Sequence, residues 1–220
     1  MPVGIPSTNQ SLPVSAEVLQ WKSKQGLPGS IPGQVFQQST ASTALTNSTT
    51  ETNLVTQANG RGTAQIPAGA LAWNNFYDPT GPVSTGSAGC KVKVKVIGTI
   101  TNTLTPTLRV RLGFTNGAGA TTFVADTTAL ATASITGTSR FVAEFDVLVT
   151  TYAVAGVVLG GGYYEYFPTT LTTNKFYAPQ LSTSSFDTTQ AYTVGVFATW
   201  GTASASNTII AQDVSIEIQN

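Results

Sequence analysis

The chain contains no histidine, one cysteine (Cys90) and one methionine among 220 residues. Its ten basic and ten acidic side chains cancel, and charged residues make up only 9% of the total, against roughly 25% in an ordinary soluble domain. Each scarcity closes a class of function. Without histidine there is no Ser-His-Asp or Cys-His catalytic apparatus. One cysteine and no histidine exclude a zinc site of the usual Cys/His type and any disulfide within the chain. A chain without a basic cluster is poorly suited to phosphate-driven nucleic-acid binding, which needs Lys and Arg in numbers. The longest apolar run, Tyr152 to Leu159, is too short to span a bilayer. No targeting signal is recognisable, so synthesis and assembly in a cytoplasm are expected.

What the chain has instead is threonine (37 residues) and serine (18), together a quarter of its length, with 24 alanines and 21 glycines. Five of its eleven prolines fall within the first 33 residues, and Leu27-Pro28-Gly29-Ser30-Ile31-Pro32-Gly33 repeats an apolar-Pro-Gly unit. Proline supplies no ladder donor and glycine fixes no φ. Residues 1–46 therefore read as an extended arm and linker. Ser15 can cap one short helix, Ala16 to Gln25, with Gly26 as its stop. The arm still carries Val14, Leu19, Trp21, Ile31, Val35 and Phe36, apolar groups that need a surface to cover. About 35 extended residues at ~3.3 Å each reach on the order of 100 Å, so these six are the expected intersubunit contacts. A disordered tail is the alternative, although such tails are richer in charge and poorer in aromatics.

Further along, the pattern has period two. Val92, Val94 and Val96 alternate with Lys91, Lys93 and Lys95. Leu108, Val110, Leu112 and Phe114 share one face and Arg109 and Arg111 the other. Phe141 to Val149, Tyr192 to Trp200 and Ile209 to Ile218 continue the rule. Such alternation marks half-buried antiparallel strands, and branched Thr and Val favour them. Turn signals separate the runs at Asn59-Gly60, Asn116 to Gly119, Thr136 to Thr138 and Gly160 to Gly162. Roughly eight strands so spaced predict an all-β antiparallel sandwich of jelly-roll type over residues 47–220.

Chemistry-bearing residues are few. Glu144 and Asp146 share a strand face, and with Glu165 they offer the paired carboxylates a glycosidase requires; a wetted sheet face explains them as well. Acidic neighbours of this kind are expected between the lysine stripe and Arg109 and Arg111, set on an adjoining strand, because like charges opposed across strands repel. The glycine-rich stretches open no helix and have no following Lys-Ser/Thr, so they are turns or close backbone approaches rather than phosphate cradles. Tyr163, Tyr164 and Tyr166 form an aromatic run that either fills the core or stacks on sugars. No cofactor and no metal is expected.

Three segments carry a resemblance: Thr63 to Ala72, Gly98 to Leu112, and Asp187 to Ala191 followed by the Trp200 to Ile209 run. In this order they resemble β-sandwich virion proteins of tailed bacteriophages, described as head decoration or as tail and fibre components. The similarity spans roughly residues 54–220 and leaves out the arm and the stretch Trp73 to Gly89. It implies a virion location and no catalytic residues. The expectation is a capsid decoration (cement) protein, a homotrimer bound to the major capsid protein or other virion proteins. The alternative is a tail- or fibre-associated carbohydrate-binding module that uses Tyr163, Tyr164, Tyr166 and Trp73. Neither reading involves nucleic acid or membrane.

Overall fold

The alternating runs become strands with one dry and one wet face. A computed structural model describes residues 33–71, 90–103, 105–135, 137–169 and 172–219. In chain order the strands are β1 (Gly33–Gln38), β2 (Leu45–Thr46), β3 (Thr52–Asn53), β4 (Gly60–Gly62), β5 (Gln65–Ile66), β6 (Lys91–Thr101) and β7 (Thr107–Asn116). They continue with β8 (Thr121–Asp126), β9 (Leu130–Ala131), β10 (Ser139–Thr151), β11 (Gly156–Thr169), β12 (Thr172–Phe186), β13 (Tyr192–Trp200) and β14 (Thr208–Gln219). The one helical turn among the described residues is a 3-10 turn, Gln57–Asn59.

Every pairing is antiparallel and the strands form two sheets. The larger runs β12-β11-β10-β6-β14-β1-β4, with β2 also on β14; the smaller runs β3-β13-β7-β8, with β5 on β13 and β9 on β7. The chain changes sheet at every step from β2 to β7, again between β9 and β10, and on either side of β13, while β10, β11 and β12 form a meander. The result is the expected sandwich with jelly-roll-like crossings.

The core lies between the inner faces. Val92, Val94 and Val96 from β6, Phe141, Phe145 and Val147 from β10, and Val214 and Ile216 from β14 face Leu108, Val110, Leu112 and Phe114 from β7 and Val194, Val196 and Trp200 from β13. Each such side chain contributes about 1.5–3 kcal/mol through burial. Aromatic pairs tie the layers together: Phe186 stacks on Tyr192 with ring centroids 4.6 Å apart, and Phe114 meets Phe186 edge-on at 5.6 Å. Cys90 is buried, and desolvation pushes its thiol up to about 12.

Two glycines have specific geometric duties. The β7–β8 hairpin turns at Asn116 to Gly119, where Gly119 takes a φ of 84° and the Asn116 side-chain oxygen accepts from the N–H groups of Ala118 and Ala120, both at 3.0 Å. The left-handed region suits glycine because no Cβ crowds the carbonyl. Gly160 is not in a turn. It sits inside β11, and a Cβ there would lie 2.0 Å from the Val124 carbonyl oxygen of β8. The two sheets nearly touch at this point, so the Gly160 to Gly162 run is a close approach within a strand.

The body also begins earlier than the composition suggested. β1 pairs with β14 from Gly33↔Ile218 to Gln38↔Val214 and with β4 from Phe36↔Gly62 to Gln38↔Gly60. Val35 and Phe36, expected as intersubunit contacts, are buried in this chain's own core. Segment 33–38 is apolar enough to be a strand, and the surrounding Gln, Ser and Gly concealed it. Val14, Leu19, Trp21 and Ile31, the short Ala16 to Gln25 helix and Trp73 lie outside the described residues.

Candidate functional site

The outer face of the larger sheet gathers most of the charge in the chain. In register across β10, β6 and β14, Glu144 stands opposite Lys95 and Lys95 opposite Ser215; one step along, Asp146 stands opposite Lys93 and Lys93 opposite Glu217. The sequence dictates this, because three outward positions of β6 are lysines and two of the facing outward positions of β10 are carboxylates. Opposite charges on neighbouring strands attract across the ~4.8 Å spacing. The Lys95 ammonium lies 2.7 Å from Glu144, and Lys91 reaches 3.1 Å to Asp146. The acidic neighbours expected for the lysine stripe are therefore present.

Glu144 also accepts the Tyr163 hydroxyl at 2.8 Å. The Lys95 hydrogen bond, followed by that of Tyr163, holds its carboxyl below the usual value. Burial, and then the same bond to Glu144, pushes the Tyr163 phenol up to about 12. The Lys175 ammonium sits 3.4 Å above the Tyr163 ring and 3.7 Å from Glu165. A glycosidase general acid needs a raised pKa, whereas Glu144 is held ionised and offers an acceptor rather than a proton.

The three tyrosines of the aromatic run separate. Tyr164 and Tyr166 are wholly buried. Tyr164 donates to the Leu108 carbonyl at 3.3 Å, and the Tyr166 oxygen accepts the Ala133 N–H at 2.6 Å. Both stack on Phe176, at centroid distances of 4.9 and 5.9 Å. These two are core side chains, and of the run only Tyr163 faces outward. The signal was available in period two: in a strand, 163 and 165 share one face and 164 and 166 the other.

A second tyrosine on this face, Tyr177 of β12, was not foreseen. It pairs across β11 with Tyr163 and is 65% exposed. Two neighbouring depressions lie between these side chains. One, of about 300 Å³, runs over β10, β6 and β14 beside Lys93, Glu144 and Glu217. The other, of about 570 Å³, is bordered by Lys91, Leu148, Leu159 and Tyr177 and floored by Gly161. Asp146 and Tyr163 line both.

Arg109 and Arg111 are elsewhere, on the outer face of the smaller sheet. Alternation had fixed their face but not which sheet their strand would join. Arg109 forks onto Asp126, its Nε 2.9 Å from Oδ1. Arg111 binds Glu51, its Nε 2.8 Å from Oε1, and lies 3.4 Å over the Phe123 ring, which meets Phe197 edge-on at 5.4 Å. Burial pulls the Asp126 carboxyl up, but the Arg109 bond, the Thr128 N–H and both guanidinium charges outweigh it and hold it low.

Among the described residues no three His, Cys, Asp or Glu side chains gather as a metal ion requires, and no helix is long and apolar enough to cross a membrane. No family model matches the chain, and no curated protein matches it. Among solved structures it is similar to a legume lectin-like domain from Entamoeba histolytica, at 9% identity and a TM-score of 0.21, over 60% of this chain and 80% of that one. A likeness that slight carries no argument about function.

Proposed function

We propose that this chain is a non-enzymatic structural protein of a phage virion, a decoration or cement subunit that binds across neighbouring capsid subunits as a homotrimer. The observation that carries the reading is the way the N-terminal arm is rooted. β1 is stitched into the larger sheet beside β14, with Val35 and Phe36 as its buried anchors. The 32 residues before it, with Val14, Leu19, Trp21 and Ile31, are thereby tethered to a rigid body. A short apolar segment on a firm tether gains effective concentration at a neighbouring site, and repeated copies multiply the effect. The body complements this role. A surface rich in Thr, Ser and Ala loses little side-chain entropy when covered, and a net charge of zero does not keep copies apart. Closed symmetry is the usual form of such assemblies. The virion, assembled in the host cytoplasm, is the location that follows.

The test is removal of residues 1–32, which leaves β1 and its pairing intact. The truncated body is expected to stay folded by circular dichroism and to lose at least about tenfold in occupancy on purified heads. Full occupancy without the arm overturns the reading, as does a full-length chain that sediments as a monomer at every concentration.

A further inference from the structure

We propose that the outer face of the larger sheet is a binding groove for a neutral oligosaccharide, with Tyr177 as the stacking platform and Asp146, Lys93 and Glu217 as the polar contacts.

Its charge identifies the occupant. The five strands from β12 to β14 set four lysines and Arg140 outward against five carboxylates, with the acidic β11 and β10 side by side between the lysines of β12 and β6. These groups leave no net charge, so neither an anionic nor a cationic polymer is drawn to the groove. What the face mixes is hydrogen-bonding character: an ammonium only donates and a carboxylate only accepts. A sugar hydroxyl does both, so a row of hydroxyls matches such a mixture of donors and acceptors without bringing in a charge. Lys93 adds a donor that the sheet itself does not use. It is exposed, it has no ion-pair partner among the described residues, and its register neighbours are Asp146 and Glu217.

The shape agrees. The two depressions share Asp146, Gly162 and Tyr163 as lining. From β12 to β14 there are four strand spacings, roughly 19 Å, room for a short chain of rings rather than for one. Opposite Asp146 the residue on β11 is Gly161, so no side chain stands between that carboxylate and a ligand, and Asp146 is 56% exposed. Tyr163 does not serve as a platform, because Lys175 covers its ring and Glu144 holds its hydroxyl. Tyr177, by contrast, is open to solvent beside Leu148 and Leu159, an apolar strip of the kind on which the C–H face of a pyranose packs while its hydroxyls reach the charged rows.

The experiment is binding of the full-length protein to an array of neutral hexose and N-acetylhexosamine oligosaccharides, with uronic-acid and sulfated glycans alongside. Any neutral glycan bound is then titrated by calorimetry against Tyr177→Ala and Lys93→Ala. Both positions are exposed, and a circular dichroism melt confirms each fold. At least one neutral glycan is expected to bind, with affinity falling about tenfold or more in Tyr177→Ala and measurably in Lys93→Ala. Absence of any neutral binder, binding confined to charged glycans, or binding indifferent to both substitutions overturns the proposal.

Discussion

The outer faces of the two sheets use their charges differently, and the larger carries more of them. On the smaller sheet the paired cations are arginines, each forked onto a carboxylate. Arg109 is 39% exposed over Asp126 at 17%, whereas Arg111 is 18% exposed and Glu51 27%, with Phe123 against the guanidinium and Phe197 edge-on to Phe123. On the larger sheet the paired cations are lysines, each held by one carboxylate, with Lys95 46% and Asp146 56% exposed. The planar guanidinium fork suits a fixed, half-buried clamp, whereas the ammonium is a mobile, well-hydrated point charge. The first face is built to stay as it is, and the second can exchange its partners for a ligand's.

The largest effect belongs to the seam between the sheets. Gly160→Val sets a branched side chain against the Val124 carbonyl. A loss of about 3 kcal/mol in chemical denaturation is expected, the upper range for overpacking; a wild-type midpoint would show that the sheets do not meet there. Next comes the contrast itself. Arg111→Lys gives up the fork to Glu51 and the planar stack on Phe123, and about 1–2 kcal/mol should be lost. Lys95→Arg on the other face should stay within about 0.5 kcal/mol. Equal costs for the two swaps would erase the distinction between the faces.

Acid titration sharpens the comparison further. The Asp126 carboxyl titrates below its ordinary value of 3.8. The stability it contributes is therefore complete above that value and is lost as pH falls through the lower folded pKa. Asp126→Asn should be less stable than wild type by about 1–2 kcal/mol at neutral pH, with the gap closing in acid. A gap independent of pH would assign the loss to packing instead of charge. A small effect is likewise expected for Lys95→Ala, at most about 1 kcal/mol and reduced by added salt, as befits an exposed pair.

Much of this was written in the alternation. The inward sets on β6, β7, β10, β13 and β14 were legible because one buried face imposes period two, and Glu144 and Asp146 were expected beside lysines because unopposed stripes repel. Other features left no such trace. β2, β3, β5 and β9 are two residues each, too short for any period. Phe176 and Tyr177 sit in a stretch where Pro179 and small polar residues hide the rhythm, so the exposed platform went unseen. The placement of Arg109 and Arg111 depends on which sheet a strand enters, and that is decided by partners far away in sequence. The same holds for β1, whose partner is β14.

That last pairing orders events at the ribosome. Gly33 meets Ile218, about 185 residues downstream, so the first described strand, whose other neighbour β4 lies close in sequence, is flanked on both sides only once the last one has emerged. Until then the flank of β6 that β14 will occupy is open. Contacts so remote in sequence make folding slow. The larger sheet is therefore completed where the first and last described strands meet, and β1 is fixed between β4 and β14 only when the whole body is complete.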